Sequence, residues 1–149
     1  MIAVSLRPVG HEWGTISFAS TLYLGPILDL LLEQIPHKWQ PELRLGLQEA
    51  LVNAAKHGNN LDPSKKVKVQ FLINNHEYCW IISDEGNGFC PPCPHQGEQS
   101  DILPSDASEN GRGLCILHLV FDQVHWNRRG TELRLSKMVN SYSRLPLFS

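Results

Sequence analysis

One face of a predicted helix carries three polar side chains that could do chemistry. Glu49, Asn53 and His57 are spaced by four residues, so they lie on the same side of a helix. A carboxylate can accept a proton, and an amide oxygen is a suitable ligand for a hard cation such as Mg²⁺. The same three residues would also suit an ordinary solvated helix flank, so this face identifies no site by itself.

A second polar segment follows a predicted strand. Asp84 stands at the strand end, and Gly86 and Gly88 come after it at a spacing that permits a tight turn and a close approach of the backbone to a ligand. The segment lacks the further acidic positions and the final Glu of a calcium-binding loop. Taken alone, it also fits an ordinary loop.

A third segment, Gly111-Arg112-Gly113, precedes an apolar helical stretch. Backbone N–H groups that glycine leaves uncovered at the start of a helix form a ready site for phosphate. Arg112 adds a cation that either contacts such a phosphate or is simply exposed. The sequence contains no G-x-x-x-x-G-K-[ST] motif, which excludes a P-loop.

Hydrophobic patterning predicts the elements that must position these segments. Helical spacing predicts helices over residues 20–35, from Pro41 to about Gly58, and from Gly113 to Phe121. Alternating patterns predict strands over residues 12–18, 66–73, 77–83, 123–127 and 131–137. Paired strands and grouped helices predict an α+β fold, a two-layer α/β sandwich with helices on one face of a mixed, mostly antiparallel sheet.

Length and composition are those of a single globular domain over residues 1–149, with 42% hydrophobic and 19% charged residues. The formal net charge of −2 argues against a nucleic-acid binder, which needs a concentrated basic face. No apolar run approaches the roughly 18 residues of a membrane span, and the first seven residues do not resemble a signal peptide. We therefore predict a cytoplasmic protein without nucleic-acid or membrane partners.

The order of these motifs resembles the GHKL superfamily of ATPases and kinases, which share the Bergerat ATP-binding fold. The pattern reads E-x3-N-x3-HG on a helix, a strand pair, D-x-G-x-G-F, a long loop, G-x-G-L entering a helix, and a closing hairpin with Gly130-Thr131. The resemblance covers residues 12–138, the core of one histidine-kinase-like ATPase domain. The segment E-A-L-V-N-A-A-K-H-G-N is most similar to the anti-sigma-factor serine-protein kinases of bacteria.

The resemblance implies a role for each matched residue. Glu49 would be the catalytic general base, Asn53 the Mg²⁺ ligand, and Asp84 the acceptor of a hydrogen bond from the adenine amino group. The stretch 90–110 would be the ATP lid. The other implied nucleotide-binding positions are Gly86, Gly88, Gly111, Arg112, Gly113 and Thr131. His57 also matches a family position, but its place at a helix end is equally explained by the helix dipole.

The implied function is that of an ATP- and Mg²⁺-dependent serine/threonine-protein kinase, an anti-sigma factor in transcription regulation. It would bind a sigma factor or another client and phosphorylate a serine of an anti-anti-sigma-type antagonist. Family members are often homodimers through the first helix and the first strand. One alternative is a non-catalytic ATP-binding module whose lid gates a partner. Another is the detached catalytic domain of a histidine kinase, although no phosphoacceptor helix is evident before residue 12.

A C-x-x-C pair in the predicted lid, Cys90 and Cys93 with His95 nearby, is open to two interpretations. It could bind zinc or form a redox pair. A structural zinc normally takes four ligands, and the sequence has no second C-x-x-C. The other interpretation is a lid segment that its prolines make stiff.

Overall fold

The structure, a computed structural model, describes residues 2–5, 13–88, 107–139 and 147. Its helices are α1 (Gly25–Leu32), α2 (Gln40–Val52) and α3 (Ala107–Val120). Its strands are β1 (Ala3–Ser5), β2 (Gly14–Ala19), β3 (Lys66–Ile73), β4 (Glu77–Ser83), β5 (Gln123–Trp126) and β6 (Glu132–Met138). A short 3-10 turn, His37–Trp39, leads into α2, and a π-helical turn, Asn53–Gly58, extends it.

The strands form one sheet in the order β1-β2-β3-β4-β6-β5, and each of the pairings among them is antiparallel. The predicted α+β sandwich is confirmed, with a sheet that is wholly antiparallel over the strands described. The register of β4 on β6 pairs Ser83 with Glu132. This register places Asp84 and Thr131 side by side where the two strands leave the sheet.

The core lies between one face of the sheet and the helices. On β3 the side chains of Val67, Val69, Phe71 and Ile73 are buried, whereas Lys66 and Lys68 are exposed. Burying a side chain of this size contributes about 1.5–3 kcal/mol, so the alternation fixes which face of β3 meets the helices. Buried leucines of α1, α2 and α3 belong to the same hydrophobic cluster. None of the helices described is both long enough and apolar enough to cross a membrane.

Three elements differ from their predicted bounds by more than one residue. The helix predicted over residues 20–35 begins only at Gly25, because Pro26 suits a first turn but cannot continue a helix from the preceding turn. The strand predicted over residues 12–18 is β2, shifted to Gly14–Ala19, and a short strand β1 that the pattern did not indicate pairs with it. The third difference, at α3, bears on the candidate site.

A fully buried ion pair ties α2 to the sheet. Lys137 Nζ of β6 lies 3.1 Å from Glu42 Oε2 in the first turn of α2, and both side chains are buried. Lys137 also donates to the carbonyl oxygen of Val120, and Glu42 Oε1 accepts a hydrogen bond from the Leu147 N–H. Buried charges persist only when they are paired and hydrogen-bonded, so these contacts set the position of α2 relative to β6 and α3.

Candidate nucleotide site

The polar face of α2 points toward α3. Glu49 and Asn53 are half-buried, whereas His57 is exposed. A Cβ atom built on Gly113 of α3 would lie 3.1 Å from Glu49 Oε2 and 3.9 Å from Asn53 Oδ1. The carboxylate and the amide therefore converge on a stretch of α3 backbone that carries no side chain.

The end of α2 is a π-helical turn rather than a continued α-helix. The turn spans Asn53–Gly58, and the N–H of Asn59 donates to the Ala54 carbonyl oxygen over 2.9 Å. Single π-turns are often found at functional sites because the extra residue redirects the side chains that follow. Here the turn begins at Asn53 and ends at Gly58, which lies against the Asp84 loop.

Gly58, Gly86 and the carboxylate of Asp84 are closely packed where the helix end meets the loop after β4. A Cβ atom on Gly58 would overlap the carboxylate of Asp84, and a Cβ atom on Gly86 would overlap the carbonyl oxygen of Gly58. Asp84 Oδ1 accepts a hydrogen bond of 2.8 Å from the Gly86 N–H. The helix end and the loop after β4 can approach this closely only because both positions are glycine.

The half-buried Asp84 carboxyl is electrostatically perturbed. Burial raises its pKa above the usual aspartate range, while the Gly86 N–H and the charge of Lys65 partly offset that rise. A carboxylate that has lost part of its hydration gains more from a hydrogen-bond donor than an exposed one does. Asp84 is thus suited to accept a hydrogen bond from a neutral N–H group of a ligand.

The turn between β5 and β6 forms the other side of this loop. The Asp84 N–H donates to the Thr131 carbonyl oxygen over 2.9 Å. Thr131 is held in turn by Asn127, whose Oδ1 accepts from the Thr131 N–H and whose amide nitrogen donates to the Thr131 hydroxyl. Gly88, with a φ of +86°, packs its bare Cα against the carbonyl oxygen of Arg129. The loop after β4 and the turn before β6 are therefore in direct contact.

The prediction that a helix starts at Gly113 is wrong, because α3 begins at Ala107. The backbone N–H groups of Gly111 and Gly113 consequently lie inside the helix and not in its first turn, where free N–H groups occur. Glycine lowers helix propensity by about 1 kcal/mol, which made this pair resemble a loop in sequence. Arg112 is exposed on the same helix.

The remaining predicted features are only partly covered by the structure. Residues 89–106 are outside the described part, so Cys90, Cys93, His95 and most of the predicted 90–110 lid lie outside it, whereas 107–110 are helical. Within the described residues, no group of three or more His, Cys, Asp or Glu side chains is arranged to hold a metal ion. Cys79 and Cys115 carry free thiols.

Sequence reasoning missed three residues that shape the site. Gly58 was interpreted as a helix-ending glycine, but its missing side chain admits the Asp84 carboxylate. Asn59 and Asn127 were assigned to loops or strand ends, yet each side chain makes hydrogen bonds that position the site loops. An asparagine beside a turn is a weak signal for such a role, because the same residue type favours turns for local reasons.

Comparison with known proteins identifies the family. The family described as histidine kinase-like ATPase domain matches residues 30–137. The serine-protein kinase RsbW of Bacillus subtilis (strain 168) is 26% identical over 107 residues, which cover 66% of this chain and 64% of that protein. The serine-protein kinase RsbW of Bacillus velezensis is 25% identical over an equal extent. The chain therefore spans about 64% of the length of these curated relatives.

The family match includes both parts of the site. It contains the Glu49 and Asn53 face of α2, the loop at Asp84 and the turn at Thr131. It also contains β3, β4 and β6, the strands that bring these segments together. Membership of an ATPase domain family implies that the domain binds ATP. The chain belongs to the histidine kinase-like ATPase domain family and is of the GHKL type.

Proposed function

We propose that this chain is an ATP-dependent serine-protein kinase that acts as an anti-sigma factor, a switch regulator of transcription. The name serine-protein kinase RsbW of both relatives supports the reaction type. The observation that carries the proposal is the convergence of Glu49 and Asn53 on the bare backbone of Gly113. A carboxylate beside the amide that we assign to the metal favours an enzyme over a protein that only binds ATP.

The adenine end of the nucleotide would occupy the Asp84 loop. Asp84 would accept a hydrogen bond from the adenine amino group, with its carboxyl held by Gly86 and enclosed by Gly58. Gly86 and Gly88 would let the base lie close to the backbone. Thr131, which already contacts the Asp84 N–H through its carbonyl oxygen, would add a hydroxyl beneath the base.

The phosphate end would lie between α2 and α3. Asn53 offers a half-buried amide oxygen beside Gly113, which carries no side chain. Such an oxygen fits Mg²⁺, a cation that takes oxygen ligands and keeps several waters. Asn53 would hold the ion, and the chemistry that the ion would supply is neutralisation of the negative charge of the phosphate oxygens. Gly111 and Gly113 would allow the phosphates to approach α3, and Arg112 would contact the terminal phosphate.

Glu49 would supply the general base of the reaction. Its carboxylate would accept the proton of the substrate serine hydroxyl as that oxygen bonds to the γ-phosphorus of ATP. The bond between the γ-phosphorus and the bridging oxygen would break, and ADP would leave. A half-buried position beside α3 suits this role, because it restricts access of competing water.

The proposal implies two kinds of protein partner. One is a sigma factor or another client that the protein holds in one state. The other is an antagonist of the anti-anti-sigma type, whose phosphorylated serine controls release of the client. We also infer a cytoplasmic location and a homodimer formed through α1 and the first strands.

The test is phosphate transfer from γ-labelled ATP to an anti-anti-sigma-type protein of the same organism. Glu49→Gln should keep ATP binding and lower the transfer rate by about 10²–10⁴-fold, the usual contribution of a general base. Glu33→Gln, an exposed position at the end of α1, is the matched control and should leave transfer unchanged. Transfer at the wild-type rate by Glu49→Gln would refute the base assignment. ATP binding without transfer to any antagonist would favour a non-catalytic ATP-binding module.

A further inference from the structure

Asn59 is a fully buried polar residue at the point where α2, the sheet and the Asp84 loop meet. Its Oδ1 accepts a hydrogen bond of 2.8 Å from the Glu85 N–H. Its amide nitrogen donates to Ser20 Oγ over 2.8 Å and to the Lys66 carbonyl oxygen over 3.0 Å. Both hydrogens and the oxygen of the amide are thus engaged, each with a different segment of the chain.

The Glu85 N–H belongs to the peptide group that directly follows Asp84. The peptide group that precedes Asp84 is also held, because the Asp84 N–H donates to Thr131. The backbone on both sides of Asp84 is therefore fixed by hydrogen bonds to other segments. One of the two comes from a side chain, and that side chain is Asn59.

A second contact strengthens the link between Asn59 and this loop. Glu85 Oε1 accepts a hydrogen bond of 3.0 Å from the Lys66 N–H, and the carbonyl oxygen of Lys66 is one of the acceptors of Asn59. Ser20, the other acceptor, donates its own hydroxyl to the Lys65 carbonyl oxygen. The ends of β2 and β3 are thereby joined to the loop through one amide group.

The chain adopts an unfavourable turn immediately after Asn59. Asn60 and Leu61 have φ values of 54° and 55°, in the left-handed region that asparagine tolerates but that costs a residue such as leucine about 1–2 kcal/mol. The Leu61 N–H closes this turn on the Ala55 carbonyl oxygen over 2.8 Å. The turn directly follows Asn59, whose buried side chain is directed toward the Glu85 N–H.

We propose that Asn59 is a positioning residue that sets the Asp84 carboxylate for the amino group of adenine and so contributes to the choice of nucleotide base. This inference rests on the proposed adenine site. Asn59 does not contact the base and acts through Asp84. It follows that its loss should weaken binding of a nucleotide with the amino group more than binding of one without it.

A purely structural role would give a different result. If Asn59 only stabilised the fold, its removal would lower thermal stability and weaken all purine nucleotides equally. If Asn59 positions Asp84, its removal should mainly weaken the hydrogen bond to the adenine amino group, and the affinity for ATP should fall more than the affinity for a nucleotide without that group. The ratio of the affinities for ATP and for 6-deamino-ATP, which carries hydrogen in place of the amino group, separates the two roles.

The experiment measures this ratio by calorimetric titration of the full chain. Asn59→Ala should weaken ATP binding about three- to tenfold, the range for one hydrogen bond, and move the ratio toward that of Asp84→Asn. Ser20→Ala is the matched control. It removes a hydrogen-bond partner of Asn59 that does not belong to the Asp84 loop, so it should keep the wild-type ratio. If the alanine variant does not fold, Asn59→Ser replaces it in the experiment. The serine side chain is too short for its hydroxyl to accept the hydrogen bond from the Glu85 N–H.

The outcomes separate the inference from the site on which it rests. If Asp84→Asn keeps the wild-type ratio, the adenine assignment of Asp84 fails, and the inference fails with it. If Asp84→Asn lowers the ratio while the Asn59 variants keep it, only the inference is overturned. An equal loss of both nucleotides in the Asn59 variants would also overturn it, because that result describes a structural role.

Discussion

At the scale of single residues, the site depends on how Asp84 is surrounded. Its carboxyl is half-buried, accepts a hydrogen bond from Gly86 and touches the backbone of Gly58. Its position after β4 could be predicted from sequence, because an aspartate at a strand end followed by two glycines is a recognisable pattern. Its perturbed pKa could not, since burial is the cause and depends on how the fold encloses the carboxyl, with Gly58 of a distant segment against it.

The raised pKa predicts how ATP binding should vary with pH. Burial makes the Asp84 carboxyl take up a proton at a higher pH than an exposed aspartate does. The charged form is the better acceptor for the adenine amino group, so ATP affinity should fall as the pH is lowered from neutral to mildly acidic values. The contribution of Asp84 to the stability of the free protein changes in the opposite direction. The folded chain binds this proton more tightly than the unfolded chain, so the contribution of Asp84 to the free energy of unfolding rises as the pH falls.

Titration calorimetry across this pH range measures the effect. The phosphates of ATP also titrate, so the informative quantity is the difference between wild type and Asp84→Asn. That difference should shrink as the pH falls and the wild-type carboxylate becomes neutral. A difference that is constant with pH would show that the charge of Asp84 is irrelevant to binding.

At the scale of elements, the site is formed where the end of α2 meets the loop after β4. The π-helical turn Asn53–Gly58 carries the helix end onto Asp84, and two glycines permit the contact. The second turn of α3 closes the other side, where Gly113 faces Glu49. Each of these contacts joins segments that are far apart in sequence.

Alanine at Gly86 should disrupt this junction. A Cβ atom there would overlap the Gly58 carbonyl oxygen, so the loop would have to move away from the helix end. We expect Gly86→Ala to lose most of its ATP affinity and to melt at a lower temperature. Gly25→Ala is the matched control, because a Cβ atom at Gly25 would meet nothing within 4 Å. Wild-type ATP affinity in Gly86→Ala would contradict the described junction.

The elements also show where sequence patterns were sufficient. Strands β3 and β4 have the predicted bounds. Buried and less buried residues alternate along β3, and β4 is an apolar central strand that pairs with β3 and β6. The start of α3 was mispredicted, since Gly111 and Gly113 disfavour a helix locally and the compensating contact with Glu49 is tertiary. The hydrogen bonds of Asn59 could not be predicted for the same reason, because its three partners come from three other segments.

At the scale of the whole molecule, α2 must be held firmly against the sheet. Only then do Glu49 and Asn53 keep their positions relative to the Asp84 loop. The buried pair of Glu42 and Lys137 does this at the helix start, with Val120 and Leu147 as further hydrogen-bond partners. The ammonium group also lies 5.1 Å from the centre of the Trp39 ring. Removing only one charge of such a buried network is strongly destabilising, because the other charge stays buried without a partner.

Removal of one charge should therefore be severe. Lys137→Met would leave the Glu42 carboxylate buried without its partner, and we expect the free energy of unfolding to fall by about 3–5 kcal/mol. Urea denaturation measures this change. Adding Glu42→Gln to the same variant should recover part of the loss, because the uncompensated charge is gone.

An exposed ion pair provides the control for this prediction. Arg44 and Asp29 are in contact at 2.8 Å, but their side chains are 43% and 72% exposed. Arg44→Met should therefore change the free energy of unfolding by only about 0–1 kcal/mol. Equal effects of Lys137→Met and Arg44→Met would contradict the role given to the buried pair.

The central claim is that ATP is recognised through Asp84, and the most direct measurement is the ATP affinity of Asp84→Asn by titration calorimetry. Loss of a hydrogen bond to a charged group, about 1.5–3 kcal/mol, predicts a roughly ten- to hundredfold weaker affinity than wild type. Asp62→Asn is the control, because Asp62 is another loop aspartate, whose carboxyl accepts hydrogen bonds from Ser64. This variant should bind ATP as wild type does. Equal ATP affinity in wild type and Asp84→Asn would contradict the account.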